Sequence, residues 1–448
     1  MKKIFSVLIT LMLAMTMLFS ACSSPAPSQS TPTSESGAST TGQADKTATQ
    51  EPAESVTLKA IWTTGGFLRA IEPTMQDFTA KTGIKFESVA PSYQEGHEKQ
   101  LIELSSGSSD VDVVAIDGPI WLTEQYKYLE PLTDYIARDN VDMNKVVPAF
   151  ANMSKYDGVM YSMPFRIGGW VLMYRRDLLE AKGLSVPQSM QELRSAAIAL
   201  TDGDLYGFTA PLKQTNYLIC QWCPFLYSWG GSFLTEDNKT AAFNSDAGKK
   251  SLQFFVDLFV KDKVISPAAL DYENDGVLAS MQAGNAAMAI TYSPYFLDMN
   301  NKEKSEFAGN FAVSPTIPYV EGSGMKQGMT EISGWGIAIN KNSKNKDAAW
   351  EFLKFLGSEE EQLKLATENS NSPVVKSVFE SDAYKKIYPD SGAVLNALIG
   401  AKYRPGIAKW AQVEEILSRE VSAAMSEIKT VEQALADAER DVNNVLSK

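Results

Sequence analysis

Along the main body of the chain, the hydrophobic positions switch between the two-residue period of strands and the wider spacing of helices. The runs VTLKAIW (56–62) and IKFESVA (84–90) alternate, whereas VDVVAID (111–117) is almost continuously apolar. Between the first two runs the apolar residues share one helical face that ends at Gly83, and a second helix is predicted over 95–104. The order β-α-β-α-β predicts a parallel sheet with helices on both faces.

The second half of the chain continues the same alternation. Ser189 and Glu192 form a capping-box pattern that opens a helix to Leu200, and Thr430 with Gln433 repeats the pattern near the C-terminus. Further predicted elements are a helix from Asn244 or Ser245, the strands AAMAITY (286–292) and GWGIAI (334–339), an amphipathic helix over 346–356 and an apolar helical stripe over 413–428. These elements predict an α/β fold throughout.

The N-terminal residues have the pattern of an export signal. Lys2 and Lys3 precede an apolar run of 16 residues, which is short for a membrane-spanning helix. The run ends in FSAC (19–22), which resembles the bacterial lipobox, where a signal peptidase cuts before a lipidated cysteine. Most lipoboxes have Leu where this chain has Phe19. The sequence therefore predicts a signal peptide over 1–21 and a lipid anchor at Cys22, with an ordinary secretory signal as the alternative.

A polar tract separates this signal from the predicted folded body. Residues 23–55 contain no Val, Ile, Leu, Met or aromatic residue, so they cannot bury enough apolar surface to offset chain entropy. We expect a flexible linker over 22–55 that follows the lipidated cysteine. The body from Val56 is too long for a single core, so two domains are expected.

The charge balance argues against two classes of partner. The formal net charge is −13, and removal of Lys2 and Lys3 with the signal peptide makes it −15. Nucleic-acid binding calls for basic surfaces, and so does adhesion to anionic membrane surfaces. The sequence therefore predicts no nucleic-acid partner, and the negative charge is interpreted as a solubility feature.

The chain has three cysteines, and two of them form the motif Cys220-x-x-Cys223. A zinc site lacks further ligands, because His97 is the only histidine and no other cysteine is free. A thioredoxin-like site calls for a preceding strand, but APLKQTNYLICQWC (210–223) is predicted to be helical. Two buried thiols are the favoured interpretation, and a local disulfide remains the alternative. No metal and no cofactor are predicted.

Six phrases, in order along the chain, resemble the extracellular solute-binding proteins of bacterial ABC importers, specifically the sugar-binding group that includes maltose-binding protein. They are MPFRIGGWVLMYRRDLLEAKGL (163–184), VPQSMQELRSAAIALT (186–201), FNSDAGKKSLQFFVDLF (243–259), MQAGNAAMAITYSPYF (281–296), ISGWGIAINKNSKNKDAAWEFLKFLGSEEEQ (332–362) and YRPGIAKWAQVEEIL (403–417). One departure is Ser189-Met190, where many relatives have Thr-Trp.

The resemblance implies a type II periplasmic-binding-protein-like fold of two α/β lobes, each a mostly parallel sheet flanked by helices, with the ligand between them. Chain crossings are expected near 164–170, 289–293 and 335–339. The first lobe would comprise 56–165 plus 291–337, and the second 166–290 plus 338–448. The protein would act as a monomer on the outer face of the cell membrane and would deliver its ligand, expected to be an oligosaccharide, to the importer's permease.

Sugars present apolar C–H faces and hydroxyl edges, so their sites combine flat aromatic rings with polar side chains. The candidates at strand ends and crossings are Trp62, Tyr93, Asp117, Trp121, Arg166, Trp170, Tyr292, Tyr295 and Trp335. Two further candidates are Trp229, which precedes a Gly-Gly turn in the second lobe, and Arg404 in the YRPG motif. Asp117 either accepts sugar hydroxyls or caps the following helix, and the two arginines either bond sugar oxygens or pair with acids. Trp350 and Trp410 are expected in the core.

A surface-anchored glycoside hydrolase is the rival class, since a pair of carboxylates could flank a scissile bond. The chain has no G-x-S-x-G motif and no Walker phosphate loop, and His97 is its only histidine. We therefore expect a binding protein and no catalytic residues. Within the binding class, a cation such as a polyamine is the second ligand to consider, although Arg166 and Arg404 argue against it.

Overall fold

The computed structural model describes residues 56–369 and 371–448. The predicted signal peptide, the lipidation site at Cys22 and the linker lie outside these residues. The strands are β1 Thr57–Ile61, β2 Lys85–Val89, β3 Val113–Gly118, β4 Lys155–Tyr156, β5 Val159–Met160, β6 Ser162–Arg175, β7 Met288–Tyr292, β8 Phe311–Val313 and β9 Ile332–Ile339.

The α-helices in the described part of the chain alternate with these strands. They are α1 Gly66–Thr82, α2 Tyr93–Ser105, α3 Ile120–Gln125, α4 Thr133–Arg138, α5 Pro148–Met153, α6 Arg176–Ala181, α7 Met190–Leu200, α8 Asn216–Ser228, α9 Asp246–Val260, α10 Asn274–Gln282, α11 Tyr295–Met299, α12 Lys346–Gly357, α13 Glu359–Glu368, α14 Lys376–Glu380, α15 Asp382–Ile387, α16 Ser391–Ile399, α17 Trp410–Met425 and α18 Val431–Leu446. Three short 3₁₀ turns complete these elements, at Tyr126–Tyr128, Met143–Lys145 and Pro267–Asp271. None of these helices combines the length and hydropathy needed to span a membrane.

The first three strands confirm the predicted parallel arrangement. β1 pairs in parallel with β2 and with β3, and β3 is buried along its whole length, as its continuous apolar run predicts. The predicted end of α1 is confirmed at Gly83, whose φ of 77° is the left-handed conformation that glycine adopts at low cost.

Antiparallel pairing extends this sheet and positions the later strands. The strand order is β2-β1-β3-β9-β6-β7, with β8 also paired to β6. β9 lies antiparallel between β3 and the first part of β6, while the last part of β6 pairs with β7 and β8. β6 is a single strand of 14 buried residues, so one continuous strand connects the pairing with β9 to the pairing with β7 and β8.

The helix starts predicted in the second half are confirmed by their capping hydrogen bonds. Ser189 and Glu192 form a complete capping box at α7, and Thr430 and Gln433 form another at α18. The Ser245 side chain accepts a hydrogen bond from the Gly248 amide and begins α9. The apolar stripe of α17 packs against α8, α9 and α18, so it is buried in the core.

Two groups of contacts depart from the lobe boundaries that the resemblance implied. α12 and α13, expected in the second lobe, pack on α1, and Phe352 lies 4.7 Å from Phe86 and 6.5 Å from Trp62 between ring centroids. Conversely, α11 and β8, expected in the first lobe, contact α10 and β6. The order of the matching sequence segments along the chain does not determine which side of the sheet each helix packs on.

The two cysteines of the C-x-x-C motif lie in α8, and both thiols are free and buried. The Cys223 thiol donates to the Ile219 carbonyl oxygen over 3.2 Å. Burial raises the pKa of both thiols well above the usual range, so neither favours the reactive thiolate. This arrangement agrees with the favoured interpretation of two buried thiols.

Candidate ligand-binding site

A cavity of about 530 Å³ opens where β3, β9, β6 and β7 end or cross. The first turns of α2, α8 and α10, the loop before α1, and α17 form its walls. Its volume lies within the range of small-molecule sites, which runs from about 300 to 1,000 Å³.

A row of three side chains crosses the floor of this cavity, on three adjacent strands. In the register of β3 and β9, Asp117 lies opposite Trp335, and in the register of β9 and β6, Trp335 lies opposite Arg166. Directly opposed residues project from the same face of a sheet, and neighbouring strands are about 4.8 Å apart. The Trp335 indole is therefore flanked by a carboxylate on one side and a guanidinium on the other.

Trp335 is held in place by three other aromatic side chains. Its ring centroid lies 5.2 Å from that of Phe67, 5.9 Å from Tyr93 and 5.1 Å from Trp121, and all three contacts are edge-to-face. Such geometry is favourable for aromatic pairs. Trp335 itself is only partly buried and lines the cavity. Its indole is therefore a supported flat surface that a ligand can contact.

Arg404 joins three carboxylates in a buried ionic cluster beside Trp335. Its guanidinium lies 3.4 Å from Asp117 Oδ2, 3.0 Å from Glu331 Oε1 and 2.6 Å from Glu414 Oε1. All four residues are at most 5% exposed. The Tyr93 hydroxyl also donates to Asp117 Oδ2 over 2.7 Å, but Asp117 Oδ1 accepts no hydrogen bond. The cluster thus contains a buried acceptor without a partner, in a residue that lines the cavity.

Burial dominates the ionisation of these carboxyl groups. It raises the pKa of Asp117 and of Glu414 despite the opposing positive charge of Arg404, and it raises the pKa of Glu331 to about 7. Three carboxylates around one guanidinium leave an excess of negative charge, so protonation within the cluster becomes easier than in water.

Arg166 forms the opposite side of the cavity. Its Nη1 donates to the Gly66 carbonyl oxygen, its guanidinium carbon lies 5.4 Å from the ring centroid of Tyr292, and its Nε has no partner. The Tyr292 ring approaches Gly168 so closely that a Cβ there would lie 2.2 Å from a ring carbon. Glycine at 168 is therefore required to seat Tyr292.

An ion pair connects the two walls at the cavity's rim. The Arg69 guanidinium on α1 donates to both oxygens of Asp275 on α10, over 3.2 and 3.3 Å. The Tyr295 hydroxyl donates to the same carboxylate over 2.7 Å. Burial opposes ionisation of Asp275, but the hydrogen bonds from Arg69 and Tyr295 outweigh it and lower the pKa.

The structure brings most of the predicted site residues together. Eight of them line the cavity: Tyr93, Asp117, Arg166, Trp170, Tyr292, Tyr295, Trp335 and Arg404. Of the two roles open for Asp117, accepting hydrogen bonds at the site is the one its contacts support, because the side chain caps no helix here. Arg404 has the acid-pairing role, whereas Arg166 pairs with no acid among the described residues.

Three predicted ligand contacts lie outside the cavity. Trp62 is fully buried in the core, where its indole N–H donates to Met75 Sδ over 3.3 Å. Trp121 is 1% exposed and packs edge-to-face against Trp335. Trp229 follows the end of α8, and its ring centroid lies 5.0 Å from that of Phe254. Trp62 and Trp121 were candidates because they follow strand ends, and Trp229 because it precedes a turn; in the structure all three pack against other side chains outside the cavity.

Several cavity residues were not predicted from the sequence. They are Phe67, Tyr217, Glu273, Asp275, Glu414 and Glu415, together with polar residues at the first turns of α2, α8 and α10. Glu414 follows the YRPG motif by eight residues and lies within the apolar stripe that was interpreted as packing. A charged residue on a buried helix face could have identified it as a candidate site residue. Trp350 and Trp410 are fully buried, as predicted.

Strands that cross between the two walls of an α/β structure, with a cavity between those walls, are the features of a two-lobed binding protein. The chain belongs to the family of bacterial extracellular solute-binding proteins, whose family model matches residues 62–363. Membership of this family makes the protein an extracytoplasmic solute-binding component of an ABC importer.

Two solved structures show the similarity in three dimensions. Maltose-bound MalE3 of Thermotoga maritima is 26% identical, with a TM-score of 0.80 over 87% of this chain and 99% of that one. A solute-binding protein of Agrobacterium radiobacter in complex with ribitol is 27% identical, with a TM-score of 0.81 over 88% and 100%. Among curated relatives, an arabinooligosaccharide-binding protein of Halalkalibacterium halodurans is 23% identical and covers 67% of each chain.

Proposed function

We propose that this protein captures a hydroxyl-rich sugar or polyol in the cavity and delivers it to an importer's permease. The observation that carries the proposal is the row Asp117, Trp335 and Arg166, in which a supported indole lies between a buried acceptor and a buried donor, each with an unpartnered atom. The maltose and ribitol complexes of similar structures support the same ligand class.

Each part of the row has a separate role in binding. The indole of Trp335 covers an apolar sugar face, at roughly 25 cal/mol per Å² of buried area. Asp117 Oδ1 accepts from a hydroxyl and Arg166 Nε donates to an oxygen, and each such hydrogen bond contributes about 0.5–1.5 kcal/mol net. Specificity comes from these hydrogen bonds, because a ligand without the matching hydroxyl leaves a buried polar atom unpaired.

The contacts support a revised division into two lobes. The first lobe would comprise 56–161 with 340–375, and the second 176–331 with 400–448. Strands β6 and β9 would cross between them. Closure over the ligand is then a hinge motion in which the crossing strands bend and the ion pair of Arg69 and Asp275 forms at the rim.

The remaining features of the proposal concern the setting of the protein. Acyl chains on Cys22 would hold it at the outer face of the membrane, and a single polypeptide would suffice as a monomer. Two or more chains give stable anchoring, at about 0.8 kcal/mol per buried methylene. The binding role involves no catalytic residue.

A thermal-shift screen tests the function. The chain from residue 23 onward is screened against maltooligosaccharides, arabinooligosaccharides, ribitol, mannitol and spermidine. A ligand at 100 times its dissociation constant stabilises the folded protein by about 2.7 kcal/mol. At least one sugar or polyol should raise the melting temperature. Hydrolysis products in the same wells would contradict the binding role, and a response to spermidine alone would contradict the sugar or polyol ligand.

A further inference from the structure

The cavity contains far more acidic than basic groups. Six carboxylates line it, those of Glu98, Asp117, Glu273, Asp275, Glu414 and Glu415, whereas the basic lining groups are the guanidinium groups of Arg166 and Arg404. Two of the carboxylates are balanced at the rim by residues outside the cavity. Arg69 pairs with Asp275 over 3.2 Å, and Lys213 pairs with Glu273 over 2.7 Å.

The other carboxylates have no such compensation. Within the described residues, Glu98 and Glu415 form no ion pair, and Asp117 and Glu414 share Arg404 with the buried Glu331. Asp117 Oδ1 and Glu331 Oε2 accept no hydrogen bond. Removing carboxylates from water without a matching positive charge is unfavourable, so the cluster is stabilised by any cation that reaches it.

The arrangement of groups identifies what kind of cation would fit. Asp117 is 2% exposed and lines the cavity; its Oδ2 is bonded to Tyr93 and Arg404, and its Oδ1 is buried without a hydrogen-bond partner. The aromatic rings of Tyr93 and Trp335 lie next to this carboxylate, and such rings attract an ammonium group. No group of three or more metal-ligating side chains occurs in the described part of the chain. These features favour an organic ammonium group.

We propose that the cavity selects hydroxyl-rich ligands that carry a protonated amine, such as an aminosugar or a partly de-N-acetylated amino-oligosaccharide, and that this amine, in place of a hydroxyl, binds at Asp117 and Glu414. Arg166, on the far side of Trp335, receives the hydroxyl-bearing end of the same ligand. This inference rests on the proposed function and narrows its ligand class.

Isothermal titration of the chain from residue 23 onward compares matched disaccharides. The probes are the diglucosamine disaccharide, its N,N′-diacetyl counterpart, maltose and spermidine. The diglucosamine should bind at least tenfold more tightly than the diacetyl form, which has the same ring shape without the charge. The difference in affinity between these two disaccharides should shrink as salt is added, because ions screen the attraction between the exposed carboxylates and the ammonium groups.

Variants identify the carboxylates responsible. Asp117→Asn and Glu414→Gln should each reduce the preference for the amine at least tenfold. Because these residues are buried, the exposed pair Glu98→Gln and Glu415→Gln provides a second test that leaves the core intact, and it should reduce the preference at least threefold. Glu432→Gln, which removes the same charge outside the cavity, should leave it unchanged.

The possible results separate this inference from the proposed function. Equal or tighter binding of the diacetyl disaccharide or of maltose would overturn the amine preference and leave sugar binding in place. Binding of spermidine without any saccharide or polyol would overturn both, and so would the absence of binding by every saccharide and polyol tested.

Discussion

Asp117 and Trp335 lie directly opposite each other on the antiparallel strands β3 and β9, and both line the same cavity. More than 200 residues separate them along the chain, so only the pairing of the two strands brings them together. One carboxylate oxygen is hydrogen-bonded and the other is buried without a partner, while the indole packs against three aromatic rings. This relationship underlies the predictions that follow.

Trp335→Ala should weaken binding of any saccharide identified in the screen by about tenfold or more, because it removes the flat apolar surface at the centre of the cavity. Titration calorimetry measures the change, and Trp335→Phe should recover part of the affinity. Trp229→Ala is the matched control, since that indole lies outside the cavity on Phe254. Equal losses in the two alanine variants would contradict the site.

Trp62→Ala should reduce stability and leave the affinity of the folded protein unchanged. The fully buried indole packs on Phe67 and Phe352, and loss of such a side chain costs about 3–5 kcal/mol. Urea unfolding measures the first effect and titration of the folded fraction the second. Should Trp62→Ala prevent folding, Trp62→Phe retains part of the packing and serves for the affinity measurement. A loss of affinity without a loss of stability would restore Trp62 as a ligand contact.

Arg404→Met should destabilise the protein by about 3–5 kcal/mol, because it leaves three buried carboxylates without their shared cation. Adding Glu331→Gln should recover part of that loss, since one of the unpaired charges is then removed. The comparison is Arg419→Met, whose partly exposed ion pairs contribute at most about 1 kcal/mol. Urea unfolding of the four proteins tests the expectation, and similar losses for Arg404 and Arg419 would refute it.

The raised pKa of Glu331, about 7 in the folded protein against 4.5 for an ordinary glutamate, predicts a pH dependence of stability. Between these values the folded state binds more protons than the unfolded state, so the free energy of unfolding falls as the pH rises. The contribution of Glu331 is present below pH 4.5 and is lost by about pH 7, with an upper limit of about 3 kcal/mol.

Glu331→Gln should flatten this dependence between pH 5 and pH 7, as measured by urea unfolding at a series of pH values. Asp117, Glu414 and Glu361, whose pKa values are also raised by burial, contribute to the slope that remains. Glu432→Gln serves as the control and should keep the wild-type slope. An identical slope in wild type and Glu331→Gln would show that Glu331 does not titrate in this range.

Arg69→Ala should speed ligand release by about two- to fivefold, because it removes the ion pair that connects α1 with α10 across the rim. The association rate should change much less. Stopped-flow fluorescence of the cavity tryptophans measures both rates. Lys81→Ala is the matched control. Lys81 lies on the same helix, but its ion pair with Glu360 joins α1 to α13, which both lie on one side of the cavity. Faster release from both variants would point to loosening of α1 itself.

The sequence by itself determined the elements and the class of the fold. Capping boxes, the glycine at 83 and the periods of the apolar residues depend on neighbours a few positions away, and all are visible in the linear pattern. The resemblance added the family and its cavity between lobes. Eight of the eleven candidate residues line the cavity. Seven of them came from strand ends and crossings, where ligands bind in open α/β sheets, and Arg404 came from the YRPG motif.

Only the tertiary structure decided which side chains face the cavity and which chain segments belong together. Trp62 and Trp335 are both tryptophans in short β-rich segments. Trp62 is buried against Phe67 and Phe352, whereas Trp335 packs on Phe67 and lines the cavity. Glu414 looks like part of a packing stripe until α17 brings it to Arg404. These outcomes depend on contacts between residues far apart in the chain, and local patterns carry no information about which distant partner a side chain meets.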